Sequence, residues 1–174
     1  MCPEADQEEL AQLIGNRVQV VAQKDEGLAA GLNSVFRHFS AGQRQVIAFN
    51  SDSPHLAPSV LDSAFEILAT HDVVVGPTHD GGYYLVGAKA AHPALFESDP
   101  MGTKSALERL LTRTKDLELS TGFTEPFYDI DVANDLILLA RELRLAPAKA
   151  PRTAGWFGEW QQAVAQLRHG TGGP

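Results

Sequence analysis

The sequence predicts an α/β fold in which a mixed, mostly parallel sheet is flanked by helices. Short apolar runs recur at 18–22 (VQVVA), 46–49 (VIAF), 72–77 (DVVVGP) and 83–88 (YYLVGA), each of strand length and rich in β-branched or aromatic residues. Between them, apolar residues fall at helical spacing. VIAF and VVV are apolar throughout, as in strands covered on both faces. Strands alternating with helices imply a layered sheet with parallel neighbours.

Taken in order, Leu10, Leu13 and Ile14, closed by Gly15-Asn16, predict a helix over 4–14. VQVVA predicts a strand. Leu28, Leu32, Val35, Phe36 and Phe39 predict the next helix, and VIAF the next strand. NSDSPHLAP reads as a loop. Pro58 suits a first helical position, and Val60, Leu61, Ala64, Phe65 and Leu68 continue one apolar face. The connection between DVVVGP and YYLVGA is too short for a parallel crossover, so strand 83–88 is expected to run antiparallel to its neighbour. Residues 105–115 predict a helix with a capping box of Ser105 and Glu108. LELS (117–120) predicts a strand. Val132, Leu136, Leu139, Ala140 and Leu143 predict a long helix. Residues 1–145 form the α/β domain in this reading. Residues 146–174 form an Ala/Pro-rich arm whose Trp156, Trp160 and Val164 share helical spacing, followed by a frayed tail.

Composition narrows the function. The chain has 174 residues, 44% of them hydrophobic, enough for one domain with a real core. Its net charge of −8 argues against a nucleic-acid surface, which needs a basic stripe. Cys2 is the one cysteine, so no internal disulfide forms and a reducing compartment is expected. No apolar run approaches the roughly 20 residues of a membrane helix, and MCPEADQEEL lacks a signal-peptide core. A soluble, cytoplasmic protein is the expectation.

Three polar stretches sit where an α/β sheet binds ligands, beyond strand ends. In FNSDSPHL, Asp52 follows an apolar strand; it is either a cation ligand or part of a turn before Pro54. In GPTHDGGYYLVG, Asp80-Gly81-Gly82 gives backbone freedom for close ligand approach, or an ordinary hairpin turn. His79 beside Asp80 suggests an acid/base pair, but no nucleophile accompanies it. In YDIDVANDL, extended backbone would put Asp129 and Asp131 on one side, roughly 7 Å apart along the strand. Capping of the following helix by Asp131, and a favourable charge from Asp135 at its positive end, account for those two but leave Asp129 unexplained. Asp52 and Asp129 both belong to the same edge of the predicted sheet, and converging carboxylates are what a divalent ion bound to phosphates needs.

NSDSP, VVVGPTHDGGYYLVG, LFESDPMGT and YDIDVANDL, in this order, resemble a bacterial group of GT-A-type glycosyltransferases of the arsenosugar-biosynthesis-associated type. The group is more distantly similar to molybdenum-cofactor and phospholactate guanylyltransferases. The resemblance runs from about residue 3 to residue 145. It implies a nucleotide-diphospho-sugar transferase fold and Mg²⁺ or Mn²⁺ held by Asp52, Asp129 and Asp131. It implies a substrate pocket lined by Asp80, Gly81 and Gly82, with Tyr83, Tyr84, Ser51 and Ser53 beside them and Asp80 as the candidate catalytic group. The implied partners are a nucleotide-sugar, or a nucleoside triphosphate, and a small-molecule acceptor. Nucleotidyl transfer and a non-catalytic binding domain are the alternatives.

Two departures stand out. Met101 occupies a position where the group usually has tryptophan. The group also opens with two strands and a basic, glycine-rich phosphate loop, and CPEADQEEL resembles the segment after the second of those strands. Three accounts fit: a fragment, a natural truncation without catalysis, or a sheet in which 18–22 pairs beside 46–49 or a homodimer covers the open edge.

Overall fold

The computed structural model describes residues 2–3, 6–15, 18–23, 27–40, 44–96, 106–158 and 160. Its elements are β1 (Cys2–Pro3), α1 (Gln7–Ile14), β2 (Ala22–Gln23), α2 (Leu28–Phe39), β3 (Val46–Phe49), α3 (Pro58–Thr70), β4 (Val73–Pro77) and β5 (Tyr83–Ala88). A 3₁₀ turn (Pro93–Phe96), α4 (Ala106–Asp116), β6 (Thr121–Phe123), α5 (Ala133–Leu145) and a second 3₁₀ turn (Pro147–Lys149) come after them.

Val73, Val74 and Val75 are fully buried, and they set the frame. Successive strand residues point to opposite faces, so a wholly buried run needs cover on both. Val73 and Val75 share one core with Leu32 and Phe36 of α2, Leu95 and Phe96 of the first 3₁₀ turn, and Leu110 of α4. Val74 and Leu85 join Ala64 and Leu68 of α3 in the other. The main sheet has the order β3-β5-β4-β6. β5 is antiparallel to both β3 and β4, while β4 and β6 are parallel. Thus β3, β4 and β6 share a direction and β5 opposes them, giving a mixed sheet in which two of the three pairings are antiparallel, so the expectation of a mostly parallel sheet does not hold for its pairings. The short 78–82 connection forces this reversal, as its length predicts.

α2 to α5 each bury part of their predicted apolar face, whereas α1 buries none of its residues and Leu13 is 82% exposed; Leu28 and Val132 are exposed as well. Phe65, expected on the buried face of α3, is 44% exposed; Ala64 and Leu68 carry that face. The apolar run of β3 predicts cover on both sides, but β3 is an edge strand pairing only with β5 among the described residues, and Phe49 is 55% exposed. The strand expected at 18–22 contracts to Ala22–Gln23, which pairs with Cys2–Pro3 in a separate parallel ribbon. It therefore does not pair beside β3. The strand expected at 117–120 is a turn: Glu118 takes a left-handed φ of 56°, and the strand begins at Thr121. Local turn geometry overrides the apolar pattern of LELS there. Ser105, Met101 and Val164 lie outside the described residues.

Residues 151–158 are helical. Ala150 and Phe157 bury against Leu139 and Leu143 of α5, so this part of the arm shares a core with the segment before it. No helix among the described residues is long and apolar enough to cross a membrane.

Candidate metal centre

Asp52 lies just beyond the carboxyl end of β3, and Asp129 and Asp131 lie beyond β6. These strands are on opposite edges of the sheet. The two segments meet because the chain after β6 crosses above the strand ends. Thr124 N donates to Val75 O and Phe127 N to Pro77 O, extending the parallel run past β4. Ile130 N then donates to Asp52 O at 3.2 Å, and Ser53 Oγ to Tyr128 O at 3.4 Å. Asn50 Nδ2 donates to Asp129 Oδ2 at 3.4 Å.

This crossing brings Asp52, Asp129 and Asp131 together, with one carboxylate oxygen from each within 4.8 Å of the others. Asp52 and Asp131 are exposed and Asp129 is half-buried. Burial raises the pKa of Asp129 above the ordinary carboxylate range, and the charges of Asp131, Asp52 and Asp80 push it the same way. Asp131 is raised too, by burial first and then by Asp52, Asp80 and Asp135. Clustered like charges repel, and a bound cation relieves that repulsion. The donor set is all hard oxygen, as Mg²⁺ and Mn²⁺ prefer.

The helix-capping alternative for Asp131 does not hold. The N-cap of α5 is Val132, and Asp135 Oδ2 accepts from Val132 N at 3.0 Å and Asp131 N at 3.2 Å. Asp135 reaches back over the helix start, which leaves the carboxylate of Asp131 to face Asp52 and Asp129.

The other sequence-predicted residues divide. Asp80 is exposed at the turn 78–82, and its charge reaches Asp129 and Asp131. Its Oδ1 accepts from Thr78 Oγ1 and from Gly82 N, which shapes the turn. Gly81 takes φ 94°, where a side chain is strained. Gly81 also borders a cleft of about 450 Å³ with Leu107, Glu108, Leu111, Thr112 and Lys115. Tyr83 lines a slot of about 130 Å³ with Leu28, Leu32, Phe49 and Asn50. Burial pushes its phenol up to about 12. Tyr84 is 1% exposed, and its hydroxyl pairs with Thr124 Oγ1 at 2.6 Å and donates to Glu125 O at 3.0 Å. It is a core residue that fixes the segment leading to Asp129. Ser51 is exposed, while Ser53 is buried on the Tyr128 carbonyl.

Sequence reasoning misses Asn50 as a site residue, although its place between a strand and Asp52 is a usable signal. His55, in the loop after β3, is 3% exposed. Tyr128 Oη donates to Glu142 Oε2 at 2.7 Å, and Lys149 pairs with the other Glu142 oxygen. No local pattern reveals that pairing across α5.

The fold is shared with a solved structure, and in this chain an acidic cluster stands at the carboxyl edge of the sheet. The comparison is a crystal structure from Desulfovibrio desulfuricans G20, described as a "putative nucleotide-diphospho-sugar transferase". The likeness has a TM-score of 0.85 at 22% identity and covers 95% of this chain and 75% of that one. The chain belongs to the family described as "Uncharacterized protein conserved in bacteria (DUF2064)", whose model matches residues 1–103. That stretch includes Asp52 and the 78–82 turn but stops before Asp129 and Asp131. No curated protein matches the chain.

Proposed function

We propose that this protein is a glycosyltransferase-type transferase that uses a nucleotide-sugar donor with Mg²⁺ or Mn²⁺. The observation that carries this reading is the convergence of Asp52, Asp129 and Asp131 from two separate loops of a nucleotide-diphospho-sugar transferase fold. These carboxylates would hold the ion. When bound, the ion supplies positive charge to offset that of a departing diphosphate. Gly81 and Gly82 leave the backbone open to a ligand, and Tyr83 and Asn50 border the slot beside the cluster. Ser51 sits at the exposed rim of the Asp52 loop. The acceptor, a small molecule, is placed near Asp80, the candidate group to receive its proton. The arsenosugar-type resemblance belongs to this proposal, as do a cytoplasmic setting and a homodimer through the open β3 edge.

Incubation with Mn²⁺ and a panel of nucleotide sugars tests it. Release of free nucleoside diphosphate, dependent on Asp52, is the expected result. Pyrophosphate release from nucleoside triphosphates instead would assign nucleotidyl transfer. Binding without turnover would favour a non-catalytic binding domain.

A further inference from the structure

We propose that His55 is a positioning residue that locks the two halves of the acidic cluster together by ring packing. This rests on the metal-site reading above. The seam between the halves is the contact of loop 50–56 with segment 127–131. Its polar links are an ordinary backbone bond, Ile130 N to Asp52 O at 3.2 Å, and two longer side-chain contacts at 3.4 Å, Ser53 Oγ to Tyr128 O and Asn50 Nδ2 to Asp129 Oδ2. Contacts beyond about 3.2 Å are weak, so the two side-chain links hold position only loosely.

His55 crosses the same seam differently. It is on the Asp52 loop, yet its ring centroid lies 4.6 Å from that of Phe127 and 4.4 Å from that of Tyr128. Phe127 and Tyr128 stack on each other at 5.7 Å. The imidazole is 3% exposed, and neither ring nitrogen has a hydrogen-bond partner among the described residues. A buried polar ring without partners is held by its faces, not by its nitrogens. Burial also pulls its pKa down, which keeps it neutral and suited to aromatic packing. The platform beneath it is anchored in turn, since Tyr128 Oη is bonded to Glu142 of α5. The next residue along is Asp129.

Ring packing therefore sets the distance between Asp52 and Asp129. Groups that orient metal ligands typically change affinity about 10- to 100-fold when removed. The test is Mn²⁺ affinity by electron paramagnetic resonance for His55→Phe, His55→Leu and His55→Ala, with circular dichroism to confirm folding. His55→Phe keeps a flat ring and should bind within about twofold of the wild type. His55→Leu and His55→Ala should bind about tenfold more weakly while still folded at the assay temperature. If His55→Ala does not fold, His55→Leu carries the same expectation. Wild-type affinity in the folded Leu or Ala variant overturns the proposal, as does a Phe variant as weak as Leu. Failure of the wild type itself to bind Mn²⁺ overturns the metal-site reading along with it, which separates the two failures.

Discussion

Asp129→Asn is expected to weaken Mn²⁺ binding by about 100-fold or more while raising the thermal stability of the metal-free protein. Loss of a group that merely orients a ligand costs about 10- to 100-fold in affinity, and Asp129 is proposed as a ligand in its own right. The stability gain comes from the charge cluster. Asp129 is half-buried among Asp131, Asp52 and Asp80, and its pKa is raised by burial and by those charges. For an acid whose folded pKa exceeds the unfolded one, the folded state binds the proton more tightly. That contribution to stability is fully present below the unfolded pKa, about 3.9 for Asp, and is lost as pH rises through the folded pKa. At neutral pH the ionised Asp129 therefore strains the metal-free fold, and the neutral amide removes the strain. Melting curves in EDTA and in MnCl₂ check both halves. The variant should melt higher than wild type in EDTA and gain nothing from Mn²⁺. A variant that melts lower in EDTA and is still stabilised by Mn²⁺ would show that Asp129 is a structural residue.

Gly76→Val is expected to cost about 3 kcal/mol or more, the upper range for overpacking a core. A Cβ at Gly76 would stand 2.5 Å from Tyr84 Cζ, 2.7 Å from Tyr84 Cε1 and 2.9 Å from Thr124 Oγ1. None of these atoms can give way cheaply. Tyr84 is 1% exposed and Thr124 is 8% exposed, and they are bonded to each other. Because Tyr84 also holds Glu125, the clash propagates toward Phe127 and the acidic cluster. Urea denaturation measures the loss, and Gly155→Ala is the control. A Cβ at Gly155 meets nothing within 4 Å, so that variant should match the wild type or gain up to about 1 kcal/mol in its helix. Equal stability of Gly76→Val and wild type would mean that Tyr84 is not packed as described.

How much of this is legible in the sequence depends on whether local chemistry or tertiary context decides the outcome. α2, α3 and α4 obey their apolar periodicity because each buries one stripe against the sheet, and α5 because its stripe packs on the segment after it. β4 and β5 can be read from wholly apolar runs, and their antiparallel pairing from the length of 78–82. The errors fall where context decides. VIAF looks like a central strand, but nothing in its four residues shows that it pairs on one side only among the described residues, so the exposure of Phe49 is invisible there. LELS has strand composition, yet the end of α4 turns through Glu118 before the sheet resumes. In the site, the aspartates stand out because carboxylates beyond strand ends are unusual enough to notice. Their convergence needs the crossing of 124–131 over the strand ends, which only the sheet order displays. Asp135 over Asp131 as the reaching carboxylate is a matter of side-chain direction. The role of His55 escapes sequence reading because burial of a loop histidine depends on Phe127 and Tyr128, more than 70 residues away.

The central claim is that Asp52, Asp129 and Asp131 form one divalent-ion site. Anomalous diffraction from crystals grown with Mn²⁺ tests it most directly. The expected result is one strong Mn²⁺ peak between these three carboxylates, absent from crystals of Asp129→Asn. A peak elsewhere, or none at a Mn²⁺ concentration that saturates ordinary carboxylate sites, would contradict it.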